Sequence, residues 1–524
     1  VEREWDDALI PSLLGITTSG IGSTQTPGHF SPEAAGGPNA ASSSEGGVVT
    51  NPWDYLLMLE GTLLFAAASV KRLEDRQSGT LGYPFCVRQS GVGYGSSAKS
   101  DESISRAELW LPLWSRPSST AELSALFAEG RAQVHGRQAR NGVDFARSVA
   151  TLGTDRGIAE FQRYGFQQRN GLSYFAVPLG RFVAEPQPQV NLLSEPAIDG
   201  WLDSFRRAAS SDHAPSRASR ILTRLEQAIL ELCQHRGKRQ LQSVLIALGE
   251  AEAMLATAPK WREEAFQNPV PLLSPQWLLD CDDGSPEFRL AASLAGIWSP
   301  KIGSLRQNLE VIEMKGRWIR WSEDSASLCK VVWNEASLDD NLIAVIQRRG
   351  IEAMQSGERT DGSLIFPGES AYLSTLSDVE SFLRKETNDE RITALVRGLV
   401  LLDWNRIRQD GSAVSRPQPL KGNIPDSTFT LLKLCHSPYP VHETYVALDP
   451  AIVRLAAGGR LTEASKLAAR RLTGAGLSPA VKVIARRGPV GRRTAAALLF
   501  PLGWSDINAL AMAVLKPELA TPSS

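Results

Sequence analysis

Eight arginines, Arg131, Arg137, Arg140, Arg147, Arg156, Arg163, Arg169 and Arg181, face three acids, Asp144, Asp155 and Glu160, within residues 131–181. A guanidinium binds phosphate bidentately, and a local excess of positive charge suits a polyanion. Arg140, Arg147, Arg156, Arg163 and Arg169 follow one another at spacings of seven, nine, seven and six. A helical reading places several of them on one side or on adjacent turns. The competing account is a solvated charged face laced by the same three acids. Phe161, Tyr164 and Phe166, interleaved with them, suit a core better than a stacking platform.

A second basic run lies between Arg454 and Arg493, where ten cations meet the single acid Glu463. Its densest part, ARRGPVGRR with Lys482 before it, offers Lys482, Arg486, Arg487, Arg492 and Arg493 on loops and helix starts within reach of a phosphate backbone. These side chains are expected at the surface, so that reversing their charge would leave folding intact. A solvated helix face or a protein-docking surface is the alternative. Gly91–Ser97, GVGYGSS, is a third candidate. Its glycines let backbone N–H groups approach an anion, Tyr94 offers a stacking face and Lys99 stands behind it. It lacks the strand–loop–helix setting of a P-loop, and a hairpin tip explains it equally.

Catalytic patterns are missing: no HExxH, GxSxG or GxxxxGK[ST] occurs. His436, His442 and Asp449 come nearest to a cluster, but Pro438 and Pro440 intervene and suggest a solvated loop. Cys86, Cys233, Cys281, Cys329 and Cys435 form no CxxC pair and read as scattered reduced thiols. No catalytic residue, metal or cofactor is expected.

The elements that must position these residues follow from periodicity. Ser, Thr, Gly and Pro dominate 17–50, which reads as a linker. A helix is expected from Asn51-Pro52 through about Val70, its most apolar part, Tyr55–Val70, being buried yet too short to span a bilayer. YPFCVRQ and AELWLPLW, within 81–114, read as two strands, and LSYFAVPL at 172–179 as a third. Helices are expected from Ser119 or Thr120 to Val134, over Val143–Leu152 and over Arg156–Tyr164. Further helices are expected over Ala197–Ala209, Ser219–Gln234, Gln240–Ala256, Leu338–Gln355, Glu369–Lys385 and Glu390–Ile407, with a last helical segment from Leu461 to about Leu515. Alternating apolar runs at 309–323 and 329–334 have hairpin character.

With 524 residues, 42% of them apolar, the chain is long enough for two to four domains. The formal net charge of −1 confines any nucleic-acid site to a local patch. The expected fold class is α+β and predominantly α-helical, a small mixed α/β N-terminal part followed by a large helical bundle. The expected divisions are 1–50 flexible, 51–187 α+β with the arginine block, 188–360 helical with a hairpin, and 361–524 helical with the basic segment. No secretory signal begins the sequence, which suggests a cytoplasmic protein.

Three stretches carry a resemblance: RAELWLPLWSRPSSTAELSALFAEGRAQVHGRQARNGVDFARSVATLGTDRGIAEFQRYGFQQRNGLSYFAVPLGRFV at 106–183, NPWDYLLMLEGTLLFAAA at 51–68 and TAAALLFPL at 494–502. In order and wording the chain resembles the large subunit of the type I-G (formerly I-U) CRISPR effector complex, over most of 51–510 and most densely over 51–183. Residues 1–50 depart from the pattern, and the chain is expected to be truncated at its front. The resemblance implies a non-catalytic subunit of an RNA-guided surveillance complex. Such a subunit helps recognise the protospacer-adjacent motif and holds the opened duplex and displaced strand, while guide pairing reads the sequence. It implies guide RNA, target DNA, the other subunits of the complex and, transiently, a helicase–nuclease as partners, and no membrane. Two alternatives stay open at this point: a nucleic-acid-processing enzyme with an unrecognised site, and a purely structural helical scaffold.

Overall fold

The computed structural model describes residues 2–14, 16, 52–67, 85–87, 108–129, 133–134, 137–152, 157–169, 173–211, 213–265, 267–316, 318–357, 359–360, 363–410, 425–480 and 490–516. The chain divides into two compact units, Val1–Ser194 with Thr223–Arg236, and Glu195–Leu222 with Gly237–Ser524. The fold is α+β and predominantly helical.

The first unit contains α1 (Glu2–Leu14), α2 (Pro52–Ala67), β1 (Cys86–Val87), β2 (Glu108–Trp114), α3 (Thr120–Glu129), a small hairpin of β3 (Gln133–Val134) and β4 (Arg137–Gln138), α4 (Gly142–Leu152), β5 (Ile158–Arg169) and β6 (Ser173–Val183). Its antiparallel sheet has the order β1-β2-β5-β6. Period-two alternation sends Trp110, Phe161 and Phe182 to one face, where Phe145 of α4 meets the Trp110 ring at 4.6 Å and the Phe161 ring at 5.3 Å. Asn141 starts α4 by accepting the Asp144 N–H at 2.9 Å. Gly142 is required beside it, because a Cβ there would lie 2.5 Å from a carboxylate oxygen of Glu108.

Three expectations fail in this unit. The helix expected through Val134 ends at Glu129, and Gln133–Val134 pairs with Arg137–Gln138 as a strand. Arg156–Tyr164 is not a helix: β5 begins at Ile158. Its inward residues are Phe161, Arg163 and Gly165, and a charged and a small residue at inward positions hide the strand alternation. Nor is α2 buried among the described residues, since Leu56, Leu57, Leu59 and Leu63 are exposed and the helix packs mainly on α1 and α3.

The second unit is a stack of helices: α5 (Pro196–Ala209), the start of α6 (Ser216–Gln234), α7 (Lys238–Thr257), α8 (Pro286–Ala295), α9 (Leu338–Ser356), α10 (Leu376–Leu383), α11 (Asp389–Leu399), α12 (Trp404–Asp410), α13 (Ser427–Leu434), α14 (Pro450–Ala457), α15 (Leu461–Gly474), α16 (Val490–Ala497) and α17 (Trp504–Val514). Helices α7 and α11 cross at two glycines. A Cβ on Gly249 would lie 2.5 Å from the Arg397 carbonyl oxygen, and one on Gly398 would lie 2.8 Å from that of Leu245. Since α7 packs on α11 and α9 packs on α16, position 360 separates no packed layers. A buried ion pair staples the centre: Arg306 Nε donates to Glu252 Oε1 at 2.8 Å, and the other carboxylate oxygen accepts the Val270 N–H at 2.9 Å.

The strand interruptions here are β7 (Trp298–Ser299) with β8 (Gly303–Ser304), β9 (Ile312–Lys315) with β10 (Trp318–Trp321), and, after α9, β11 (Arg359–Thr360) with β12 (Ser363–Leu364). The run at 329–334 adds no strand. Asp324 caps a short helix over Ser325–Lys330, and the N–H groups of Val332 and Trp333 both reach the Asn308 carbonyl. The helix expected over Glu369–Lys385 shortens to α10, started by a capping box of Thr375 and Asp378. The one expected over Glu390–Ile407 breaks between α11 and α12, where Leu273 exchanges backbone hydrogen bonds with Leu401 and Asp403. Among the described residues, no helix is long and apolar enough to cross a membrane.

Candidate nucleic-acid interface

The sequence nominated twelve side chains, and the structure separates them. Tyr94, Lys99, Arg156, Lys482, Arg486 and Arg487 lie outside the described residues, and Arg169 is described only as the last residue of β5. Arg140 is exposed just before α4, its backbone N–H 3.3 Å from an Asp144 carboxylate oxygen.

Arg147 and Arg163 do not stand on a phosphate-facing helix side. Arg147 lies on the inward face of α4, almost wholly buried, and donates to the Leu193 carbonyl at 2.8 Å. Arg163 comes from β5, opposite Trp110 on β2, and both Nε and Nη2 meet Glu108 Oε1, at 2.8 and 2.7 Å. Its guanidinium carbon sits 4.9 Å from the centroid of the Trp110 ring. Burial makes a bare guanidinium costly, and Glu108 neutralises it within the fold. Neither side chain is placed to receive a strand.

Arg493 departs from expectation more sharply. It is 3% exposed, so it is not a surface residue. From α16 its Nε donates to the Phe382 carbonyl at 2.7 Å, and its terminal nitrogens pair with Asp389 and, at 3.0 Å, with Asp339. The guanidinium also caps the Phe382 ring at 3.5 Å. One side chain thus ties α16 to the end of α10 and the starts of α9 and α11. Burial pushes the Asp339 carboxyl up, against the opposing pull of Arg493. Its neighbour Arg492 is half exposed and pairs with Asp340.

What remains outward is the earlier part of the basic run. On α15, Leu461, Ala464, Ser465, Ala468 and Leu472 face inward, which turns Lys466 and Arg470, one helical turn apart, to solvent. Arg454 is exposed on α14, which packs on α15. None of these three makes an ion pair among the described residues, whereas Arg460 is held by Glu463 and Arg471 by Asp449. Sequence counting placed all five in one run; all five are exposed, and the positions of Glu463 and Asp449 tell the paired from the unpaired.

No protein-family model matches this sequence, and no curated protein matches it.

The histidine cluster dissolves. His436 is fully buried just after α13, not in a solvated loop, with Nδ1 3.0 Å from the Leu432 carbonyl, and burial lowers its pKa to about 4. One turn before it, Lys433 is buried with its amine 2.7 Å from the carbonyls of both Leu498 and Phe500, where α16 ends. Burial lowers its pKa to about 7. A neutral amine has two hydrogens, and here it has two carbonyls to receive them. Among the described residues, no group of three or more His, Cys, Asp or Glu side chains is arranged to hold a metal.

Proposed function

We propose that this chain is the non-catalytic large subunit of an RNA-guided, type I-G-like CRISPR effector complex, and that it holds target or displaced DNA by its phosphates. The carrying observation is the cationic surface of α14 and α15, where Arg454, Lys466 and Arg470 point to solvent with no carboxylate partner among the described residues. The resemblance over 51–183 and 494–502 supports placing that surface in such a complex, with guide RNA, the other subunits and a transient helicase–nuclease as partners in the cytoplasm. In this reading Arg147 and Arg163 of the first unit hold the fold together instead of binding the strand. Protospacer-adjacent motif recognition falls to the loop bearing Tyr94 and Lys99.

The test is salt-dependent binding. Each phosphate contact releases condensed counterions, so log affinity falls with log salt at a slope of about −0.7 to −0.9 per contact. Arg454→Gln, Lys466→Gln and Arg470→Gln together should flatten that slope by roughly two to three units. The loss should be similar on every DNA sequence, because phosphates carry no base identity. An unchanged slope and affinity would favour the structural scaffold. Magnesium- or manganese-dependent cleavage that vanishes on changing one residue of this chain would favour the processing enzyme.

A further inference from the structure

A cleft of about 360 Å3 opens in the second unit, among the β7–β8 turn, the β9–β10 hairpin and the connection from α11 to α12. That volume lies in the range of small-molecule sites. Trp298 lines it, and the Arg408 guanidinium, itself outside the lining, lies 4.3 Å from the Trp298 ring centroid. Lys301 and Lys330 bring two ammonium groups, anchored loosely at 3.5 Å to the Ser356 carbonyl and at 3.2 Å to that of Ile302. Against them stands one carboxylate, Asp403, which caps α12 by accepting the Arg406 N–H at 3.0 Å through a single oxygen. The amide oxygens of Gln307 and Asn405 are engaged, by the Ser304 N–H at 3.2 Å and by Arg408 at 3.4 Å. Their NH2 groups make no hydrogen bond among the described residues, so the cleft is lined with free amide donors, two ammonium groups, one carboxylate and an aromatic ring, with a net positive charge.

We propose that this cleft binds one nucleobase carrying a phosphate. The base packs on Trp298, its exocyclic amine donates to the second oxygen of Asp403, and its ring nitrogen or carbonyl accepts from Asn405 or Gln307. Lys301 and Lys330 take the phosphate. A free nucleoside monophosphate and a single base turned out of a strand present the same chemistry. The assignment does not depend on the cationic surface of α14 and α15.

Equilibrium dialysis of the full chain against AMP, CMP, GMP and UMP, adenosine, and a DNA tetranucleotide tests it. Saturable binding of the three amine-bearing monophosphates is expected, with UMP weaker by about tenfold, the discrimination of one well-made base-edge contact. Asp403→Asn keeps an oxygen for the α12 cap and should erase most of that preference. Lys301→Met, at an exposed position, should weaken the monophosphates about three- to fivefold and leave adenosine unchanged. Thermal melts of both variants establish that they fold. If the tetranucleotide competes with AMP and shares the sensitivity to both variants, the occupant is a base turned out of a strand; if mononucleotides alone bind, it is a free nucleotide. Absence of saturable binding by every probe, or binding indifferent to Lys301→Met and Asp403→Asn in folded protein, overturns the proposal.

Discussion

Arg163 of the sheet unit and Lys466 of the helical unit both sit in stretches dense with positive charge, and their surroundings are opposite. Arg163 faces a tryptophan and a carboxylate supplied from 55 residues away, with its side chain 3% exposed. Lys466 stands on the outer side of a helix whose apolar stripe faces the other way. The difference is set by what lies opposite each residue across a sheet or helix boundary, and local charge density has no part in it. In the first unit Arg147 and Arg163 are core material while Arg140 and Arg181 stay exposed; in the second, Arg493 lies inward and Arg470 outward within a run of forty residues.

The largest effects should come from attacking the inward members. Removing one partner of a buried pair strands the other charge, at a cost of about 3–5 kcal/mol. Arg163→Met and Arg493→Met are therefore expected to lower the melting transition steeply, and Arg493→Glu, which would face Asp339 and Asp389, to prevent folding of the second unit. Survival of Arg493→Glu with a native-like melt would show that the side chain belongs at the surface after all. The double substitution Arg163→Met with Glu108→Leu should recover much of the single loss, because it removes the stranded carboxylate.

A smaller effect, with a definite sign, attaches to Lys433. Its folded pKa is lowered to about 7, so between roughly pH 7 and 10.4 the unfolded chain binds more protons than the native one, and stability rises with pH across that window. Lys433→Met loses this gain along with two hydrogen bonds. The difference in unfolding free energy between wild type and variant should grow by up to about 1.4 kcal/mol per pH unit above pH 7 and level off below it. His436, lowered to about 4, acts in the acid range: stability should fall as pH drops from about 6.5 toward 4, and His436→Phe should flatten that limb. Denaturant melts over a pH series measure both slopes, and a pH-independent difference for Lys433→Met would mean the amine stays charged in the fold.

How much of this was legible in the sequence depends on the distance to the partner. Helices such as α5, α7 and α9 declare themselves through apolar residues at three- and four-residue spacing, and β2 through the alternation in ELWLPLW. β5 does not, because its inward set includes Arg163, whose acceptability inside depends on Glu108 in another strand. Arg493 is hidden for the same reason: Asp339 and Asp389 stand more than one hundred positions before it. The cleft beside Trp298 is equally invisible, as its walls come from three connections that meet only after the helices pack. The outward placing of Lys466 and Arg470 could have been read, since the stripe Leu461, Ala464, Ala468 and Leu472 is itself a sequence pattern; that Arg471 beside them is tied to Asp449 could not.

The smallest stability effect sharpens the comparison most. Arg454→Gln, Lys466→Gln and Arg470→Gln remove three charges that neither neutralise a buried acid nor cap a helix, and Gln keeps much of the helix propensity of Arg and Lys. Substitutions at such positions stay within about 0.5 kcal/mol each. The triple variant should therefore melt close to wild type, while Arg493→Met, a single change in the same run, melts far below it. A triple variant that unfolded as readily as Arg493→Met would place these cations in the fold, and the division between inward and outward arginines on which the DNA-holding surface rests would be gone. If the triple variant keeps its melt and loses DNA, then one basic run performs two separate tasks: Arg493 fastens α16 to its neighbours, and Lys466 and Arg470, a few turns earlier, hold the strand.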